Sequence, residues 1–172
     1  MACGDITVGR ARKCKGQGGN EVLYIYNYLV SPFTYADGIV TALDGLTGGT
    51  VFKFDLQGDG DTLEENNVSD ESAGTSVNTQ TLTARARTIT AVDSANFNLL
   101  VTGNSQAVLK DNNGVYHALG LNGKDGMTWS NVASTGGART DFNGYTITAT
   151  SQTNGESPKL DAAMITAFEA LV

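Results

Sequence analysis

The residues best suited to acid–base or nucleophilic chemistry are few, and they do not form a known catalytic pattern. The chain of 172 residues has one histidine, His117, which follows Tyr116 in a segment rich in strand-forming residues. No serine or cysteine near His117 in the sequence forms a recognisable nucleophile motif, which a histidine base would need as its partner. We therefore interpret His117 as a structural residue and predict that the protein is not an enzyme.

The two cysteines, Cys3 and Cys14, do not complete a zinc site. A structural zinc ion needs four ligands, and two thiols with one histidine supply too few. In a reducing cytosol we expect both thiols to be free, while a disulfide between them is the alternative in an oxidising medium.

The segment 58–76 concentrates acidic side chains. It contains no lysine or arginine, and its acidic residues are Asp59, Asp61, Glu64, Glu65, Asp70 and Glu71. Carboxylate oxygens bind Ca²⁺, but the segment lacks the ligand spacing of an EF-hand loop. A weak, irregular Ca²⁺ site is the alternative, which calorimetric titration would test. We predict no metal and no cofactor.

The charge balance argues against nucleic-acid binding through a basic face. The formal net charge is −7, and charged residues make up only 17% of the chain, against about 25% in ordinary soluble domains. Such acidity keeps a protein soluble, or lets DNA slide through a channel without adhering to its wall. No apolar run approaches the roughly 20 residues that span a bilayer. We therefore expect a soluble protein, folded in a cytoplasm, with no membrane partner.

The elements that must position these residues are mostly strands. Alternating or branched segments predict strands over 21–30, 50–57, 77–91, 127–134 and 142–151. Asn113-Gly114 predicts the turn of a hairpin between 107–110 and 115–119. Helices are predicted over 95–101, capped by Asp93 or Ser94, and over 160–171, while 39–46 fits either a strand or a short helix. The predicted fold is mostly β: a β-sandwich or partly closed barrel with one flanking short helix and a C-terminal helix.

The predicted domain organisation is one domain with an arm. Residues 1–20 form an extended N-terminal arm that carries four positive charges, Arg10, Arg12, Lys13 and Lys15. Residues 21–172 form a single β-sandwich domain, and the acidic segment 58–76 is predicted as a long loop. A loop of this length is uncommon in a compact domain unless it has a function.

Several stretches, taken in order, resemble phage virion proteins, and in particular bacteriophage tail tube (major tail) proteins. They are Met1-Ala2-Cys3, Ile6–Arg10, Cys14-Lys15, Gln80–Thr83, Lys110–Gly114 with Leu119-Gly120, and Gly144–Thr150. The resemblance implies a β-sandwich subunit that forms hexameric rings whose inner strands join into a continuous β-barrel around DNA. It also implies that the rings stack and that a long loop reaches the next ring. The C-terminal helix and the acidic loop depart from this pattern.

We accordingly predict a structural virion protein of the tail, present in the host cytoplasm during assembly. Its partners would be itself, other phage tail proteins and, in the lumen, DNA as non-specific cargo. The basic arm and the acidic segment would pair between stacked rings, as charged rim contacts that steer assembly. The alternatives are a head decoration or head-tail joining protein, and a carbohydrate-binding or adhesive β-sandwich that uses Tyr24, Tyr26 and Tyr28 as its platform.

Overall fold

The fold consists of two β-sheets and two helices. The computed structural model describes residues 15–56 and 60–172. Within those residues the strands are β1 (Asn20–Asn27), β2 (Phe33–Ala36), β3 (Ile39–Leu43), β4 (Val51–Asp55), β5 (Thr62–Asp70), β6 (Thr75–Arg87), β7 (Ser105–Asp111), β8 (Tyr116–Leu119), β9 (Thr128–Ser134), β10 (Gly144–Thr153) and β11 (Lys159–Leu160). The helices are α1 (Ala91–Thr102) and α2 (Ala162–Glu169).

The predicted mostly-β sandwich is confirmed. One sheet has seven strands in the order β2-β3-β11-β8-β7-β1-β4, and the other has four in the order β5-β6-β10-β9. All pairings in the four-stranded sheet are antiparallel. Within the described residues the two sheets stay open and do not close into a barrel.

The main core lies between the two sheets. Alternate residues of β6 and β10 point inward, and Leu82, Ala84, Ile147 and Ala149 are all buried there. The seven-stranded sheet contributes Leu23, Ile25, Ala107 and Leu109 from its facing side. The period of two along each strand therefore places apolar side chains inside and leaves the intervening threonines on the opposite face.

A second core covers the other face of the seven-stranded sheet. Tyr24 is 4% exposed and Tyr26 is 1% exposed. The Tyr24 ring meets Phe168 of α2 edge-on, with ring centroids 5.3 Å apart. The Tyr116 hydroxyl donates a hydrogen bond to Glu169. Tyr24 and Tyr26 are therefore not accessible as part of a sugar-binding platform, because α2 packs over this face.

The segment 58–76 is not a long loop, and that prediction is corrected. Most of it forms β5 and the start of β6, which pair from Thr62↔Thr83 to Asp70↔Thr75. The turn between the strands is held by Asp70, whose Oδ1 accepts hydrogen bonds from the backbone N–H groups of Ser72 and Ala73. Glu and Asn have low strand propensity, so β5 depends on its pairing with the threonine-rich β6.

Other predicted elements differ from the structure mainly at their boundaries. The hairpin around Gly114 is confirmed as β7 and β8, and residues 39–43 are a strand. Helix α1 begins four residues earlier than predicted because Thr90, not Asp93 or Ser94, caps it by accepting the Asp93 N–H at 3.1 Å. Strand β4 leaves Phe52 55% exposed, because β4 is an edge strand of the seven-stranded sheet.

Candidate assembly surface

The outer face of the four-stranded sheet is an array of threonines, which we name the threonine face. Strand register aligns Thr62, Thr83, Thr148 and Ser130 in one row, and Glu64, Thr81, Thr150 and Thr128 in the next. The threonines of this face are exposed or half-exposed, and they are Thr62, Thr79, Thr81, Thr83, Thr128, Thr146, Thr148 and Thr150. A sheet face of methyl and hydroxyl groups with few charges suits contact with water or with an uncharged surface.

Neither edge strand of this sheet has a second strand partner within the described residues, although helix α1 packs close to β9. Strand β5 forms one edge and β9 the other, and each pairs on one side only. An unpaired edge presents backbone N–H and C=O groups that favour pairing with another strand. Because four antiparallel strands alternate in direction, β5 and β9 run in opposite directions. A rotated copy could therefore place its β5 antiparallel to β9.

The β5–β6 hairpin extends past the rest of its sheet. Strand β10 pairs with β6 only as far as Thr153↔Asn78, whereas β5 and β6 continue for three further pairs to Asp70↔Thr75. At a rise of about 3.4 Å per residue, the two strands project by roughly 10 Å. Val68 and Val77 pair across this projection and are 53% and 38% exposed. We call residues 68–77 the hairpin tip.

The opposite end of the same sheet carries arginines. Arg87 pairs with Gly144 at the last rung of the β6–β10 ladder, and Arg139 lies in the β9–β10 connection beside that rung. Arg85 lies two residues before Arg87, with its guanidinium 5.6 Å from the centroid of the Phe142 ring. All three arginines are exposed. We call this region, with the 64%-exposed Val132, the arginine end.

The structure separates the ten predicted contact residues into several groups. Arg10, Arg12, Lys13 and Asp59 lie outside the described residues, and Lys15 is exposed. Asp61 is only 2% exposed and accepts the Arg85 N–H at 2.7 Å. Glu65 is also engaged within the subunit, through Ser157 and Gln80. Glu64, Asp70 and Glu71 are exposed on the β5–β6 hairpin, and Asp70 also holds its turn.

Glu65 anchors edge strand β5 to the other sheet. Its Oε1 accepts the Ser157 N–H at 2.7 Å, and its Oε2 accepts the Ser157 hydroxyl at 2.9 Å. Gln80 of the neighbouring strand donates to Oε1 at 3.1 Å. The ammonium of Lys159 lies 3.8 Å from Oε2. Since Ser157 lies two residues before the first residue of β11, these bonds connect the two sheets.

His117 belongs to the same polar cluster, and its geometry favours a structural role. Its Nδ1 lies 3.4 Å from the Ser157 hydroxyl and its Nε2 lies 3.8 Å from Asp111. This order resembles a catalytic triad, but Ser157 is 2% exposed and its hydroxyl donates to Glu65. Burial, followed by the charge of Lys159, lowers the pKa of His117. Because Ser157 is buried and its hydroxyl is bonded to Glu65, its oxygen is shielded from any substrate.

Sequence reasoning missed this cluster because its members are distant along the chain. Glu65 and Ser157 are 92 positions apart, and no local motif relates them. Residues 15–56 and 60–172 contain no group of three or more His, Cys, Asp or Glu side chains arranged to hold a metal ion. Across that same part of the chain, none of the helices has the length and apolar character required to cross a bilayer.

Comparisons with family models, with curated proteins and with solved structures find no match to this chain.

Proposed function

We propose that this protein is a structural virion subunit that assembles into stacked rings forming a phage tail tube, through which DNA passes. The observation that carries the proposal is the four-stranded antiparallel sheet, which combines two edge strands that each pair on one side only with a threonine-rich outer face. The sequence resemblance to tail tube proteins provides the number of copies, six per ring. Other tail proteins would be its further partners, and the virion tail its location.

Ring closure follows from the strand directions. Copies related by rotation about an axis along the strands would each set β9 beside the oppositely directed β5 of the next copy. Such joints extend the antiparallel ladder across every boundary and leave no open edge in the closed ring. The interface is heterologous, because one surface patch meets a different patch, and heterologous contacts form rings when the rotation closes.

The threonine face suits the lumen of such a ring. Its hydroxyl and methyl groups do not bind DNA phosphates as cations do, and the exposed cations of this face, Arg85 and Arg87, are confined to the arginine end,. The net charge of −7 further opposes adhesion of DNA,. The apolar face of the four-stranded sheet remains in the subunit core. Helix α2 lies on the far side of the seven-stranded sheet.

Electron microscopy of the purified chain across a range of concentrations tests the proposal. Rings or hollow tubes wide enough for duplex DNA are expected. Discrete monomers or trimers that bind capsids would overturn the tube assignment in favour of head decoration. Glycan binding by such particles would favour the adhesive-module alternative, although the buried Tyr24 and Tyr26 provide no platform for it.

A pair of proline variants tests the edge contact itself. Neighbouring N–H groups of β9 point alternately toward β10 and away from the sheet, so Asn131→Pro and Val132→Pro differ in which donor they remove. One variant loses a bond to β10 and should unfold at a lower temperature. The other should keep the wild-type melting temperature but fail to form rings. Wild-type rings from both variants would exclude β9 as the joining edge.

A further inference from the structure

We propose that the chain carries a binding site for neutral oligosaccharides, in a polar cleft at the end of the four-stranded sheet where β10 finishes. The inference goes beyond the proposed function and does not depend on ring assembly. It assigns the aromatic contact to Tyr35 of β2 rather than to the tyrosines of β1.

The cleft exists because β10 continues further than its neighbour β9. Pairing between β9 and β10 ends at Thr128↔Thr150, whereas β10 pairs with β6 as far as Thr153↔Asn78. Beyond Thr150 the β8–β9 connection approaches instead, and the side-chain nitrogen of Asn122 lies 3.3 Å from the Ser151 hydroxyl. The cavity left between these segments has a volume of about 630 Å³, inside the range of roughly 300–1,000 Å³ that is typical of small-molecule sites. We name it the amide cleft, and it is bordered by Tyr35, Gln80, Asn122, Lys124, Gln152 and Asn154.

Hydrogen bonds fix the floor of the amide cleft. Gln80 is 1% exposed, and its side chain accepts the Gly120 N–H at 3.0 Å and donates to Glu65 at 3.1 Å. The Asn122 Oδ1 accepts the N–H groups of Lys124 and Gly126 at 3.0 and 3.1 Å. These bonds hold the β8–β9 connection in place. A ligand would therefore meet a preformed surface and lose little affinity to the ordering of the protein.

The polar side chains at the mouth of the cleft are free of partners within the described part of the chain. Gln152, Asn154, Lys124 and Glu156 are exposed and border the cavity, and none of their side chains forms a hydrogen bond or an ion pair there. An amide both donates and accepts, so one amide can bond two neighbouring hydroxyl groups of a sugar ring. The opposite charges of Lys124 and Glu156 cancel, which suits a neutral ligand.

Tyr35 provides an aromatic surface beside these polar groups. It is 50% exposed on an edge strand, and it borders both the amide cleft and an adjoining cavity of about 240 Å³. The C–H face of a sugar ring packs on such an aromatic ring while its hydroxyl groups reach polar partners. Another cavity, of about 550 Å³, shares Asn122, Lys124 and Gln152 with the cleft. Because the three cavities adjoin, the shape favours a chain of several sugars over a single one.

A buried amide next to the cleft supports a polar ligand. Asn78 lies between the bordering residues Val77 and Gln80 and pairs with Thr153, which also borders the cavity. It is 0% exposed, and neither polar atom of its side chain has a hydrogen-bond partner among the described residues. Buried amides are normally paired. A polar molecule seated at this end of the sheet would offer a partner that the described chain does not supply.

The same side chains disfavour other classes of ligand. Lys124 is the only cation that borders the cavity among the described residues, and Glu156 would repel a phosphate backbone,. An acyl chain would remove the amides from water without giving them hydrogen bonds, which is costly. A neutral ligand rich in hydroxyl groups satisfies both the amides and the aromatic ring.

Nuclear magnetic resonance titration of the full chain with maltotriose, cellotriose and chitotriose tests the site. At least one of these neutral trisaccharides should bind with a Kd of about 1 mM or tighter. Tyr35→Ala and Gln152→Ala should each raise that Kd by about tenfold or more. The matched controls should leave it unchanged: Phe52→Ala removes a half-exposed aromatic ring from the opposite edge of the seven-stranded sheet, and Asn98→Ala removes an exposed amide from α1.

Several results would overturn the inference. One is the absence of binding by all three trisaccharides at concentrations up to ~10 mM. Another is binding that both cleft variants retain at full strength, or that the control variants lose equally. Binding of a single-stranded oligothymidine that depends on Tyr35 and Gln152 would assign the cleft to nucleic acid instead. Melting temperatures identify any variant that fails to fold, and Asn154→Ala is the substitute should Gln152→Ala do so. Ring formation is scored separately by electron microscopy, so failure of the proposed function leaves this test intact.

Discussion

Replacing Glu65 with alanine should destabilise the folded chain strongly, although the residue lies in an acidic, polar segment of an edge strand. Its side chain is 14% exposed and accepts three hydrogen bonds, two from Ser157 and one from Gln80. Both donor residues are almost completely buried, with exposed fractions of 2% and 1%. The substitution would leave these donors without their acceptor in a region that water reaches poorly.

The expected loss is about 3 kcal/mol in the free energy of unfolding. Hydrogen bonds to a charged group contribute about 1.5–3 kcal/mol each, and they share desolvation costs, so the three bonds do not add in full. For a chain of this length, 1 kcal/mol corresponds to about 2–4 °C in Tm, so Tm should fall by roughly 6–12 °C. Strand β5 should also lose protection against amide hydrogen exchange before the seven-stranded sheet does, because Glu65 connects the two sheets.

The neighbouring residue provides the control. Glu64 has the same side chain but points to the exposed face, so Glu64→Ala should change stability by no more than about 0.5 kcal/mol. Urea and thermal unfolding of both variants would be compared under conditions that keep the chain monomeric. A Glu65→Ala variant as stable as Glu64→Ala would refute the assignment of Glu65 as the connection between the sheets.

Three further predictions concern the cores, the turns and pH. Because folding lowers the pKa of His117, the unfolded chain binds a proton at His117 more tightly than the folded chain does. The free energy of unfolding should therefore be highest above about pH 6.5 and decrease as the pH falls below that value. Urea unfolding at several pH values should show a weaker decrease for His117→Gln. Phe168→Ala should cost about 3–5 kcal/mol in urea unfolding, since Phe168 is fully buried and connects α2 to the seven-stranded sheet,; a loss below 1 kcal/mol would show that α2 does not stabilise the fold. Gly126→Ala should lower Tm far more than Gly123→Ala, because both have positive φ but only at Gly126 would the new Cβ lie 2.4 Å from a backbone oxygen, that of Ser105; equal effects on Tm would contradict the close approach.

Sequence reasoning found the elements whose side chains repeat regularly. The turn at Asn113-Gly114 and the alternation of β6 and β10 were visible because turn chemistry and a period of two are local properties. The mostly-β class follows from them. Strand β11 was not predicted, because its two residues, Lys159 and Leu160, form a strand only through their pairing with β3 and β8. No local pattern marks a strand that short.

The sequence indicated only part of the candidate assembly surface. Six carboxylates between 58 and 76 marked the segment as unusual, but their distribution between buried and exposed positions depends on pairing with β6. That pairing turns Glu65 inward and leaves Glu64 outward. The arginine end was equally hidden in the sequence, because Arg139 joins Arg87 only through the fold of β9 and β10.

The acidic composition of β5 has a physical reason that connects stability with assembly. An exposed edge strand attracts any other edge, and charged residues reduce such indiscriminate pairing. Glu64 and Glu71 place charge on and beside β5, while Glu65 holds the strand against the other sheet. The edge would therefore be kept in a fixed position and protected by charge until it meets a partner of matching geometry. An apolar β5 would be easier to recognise in the sequence, but it would also pair with the wrong strands.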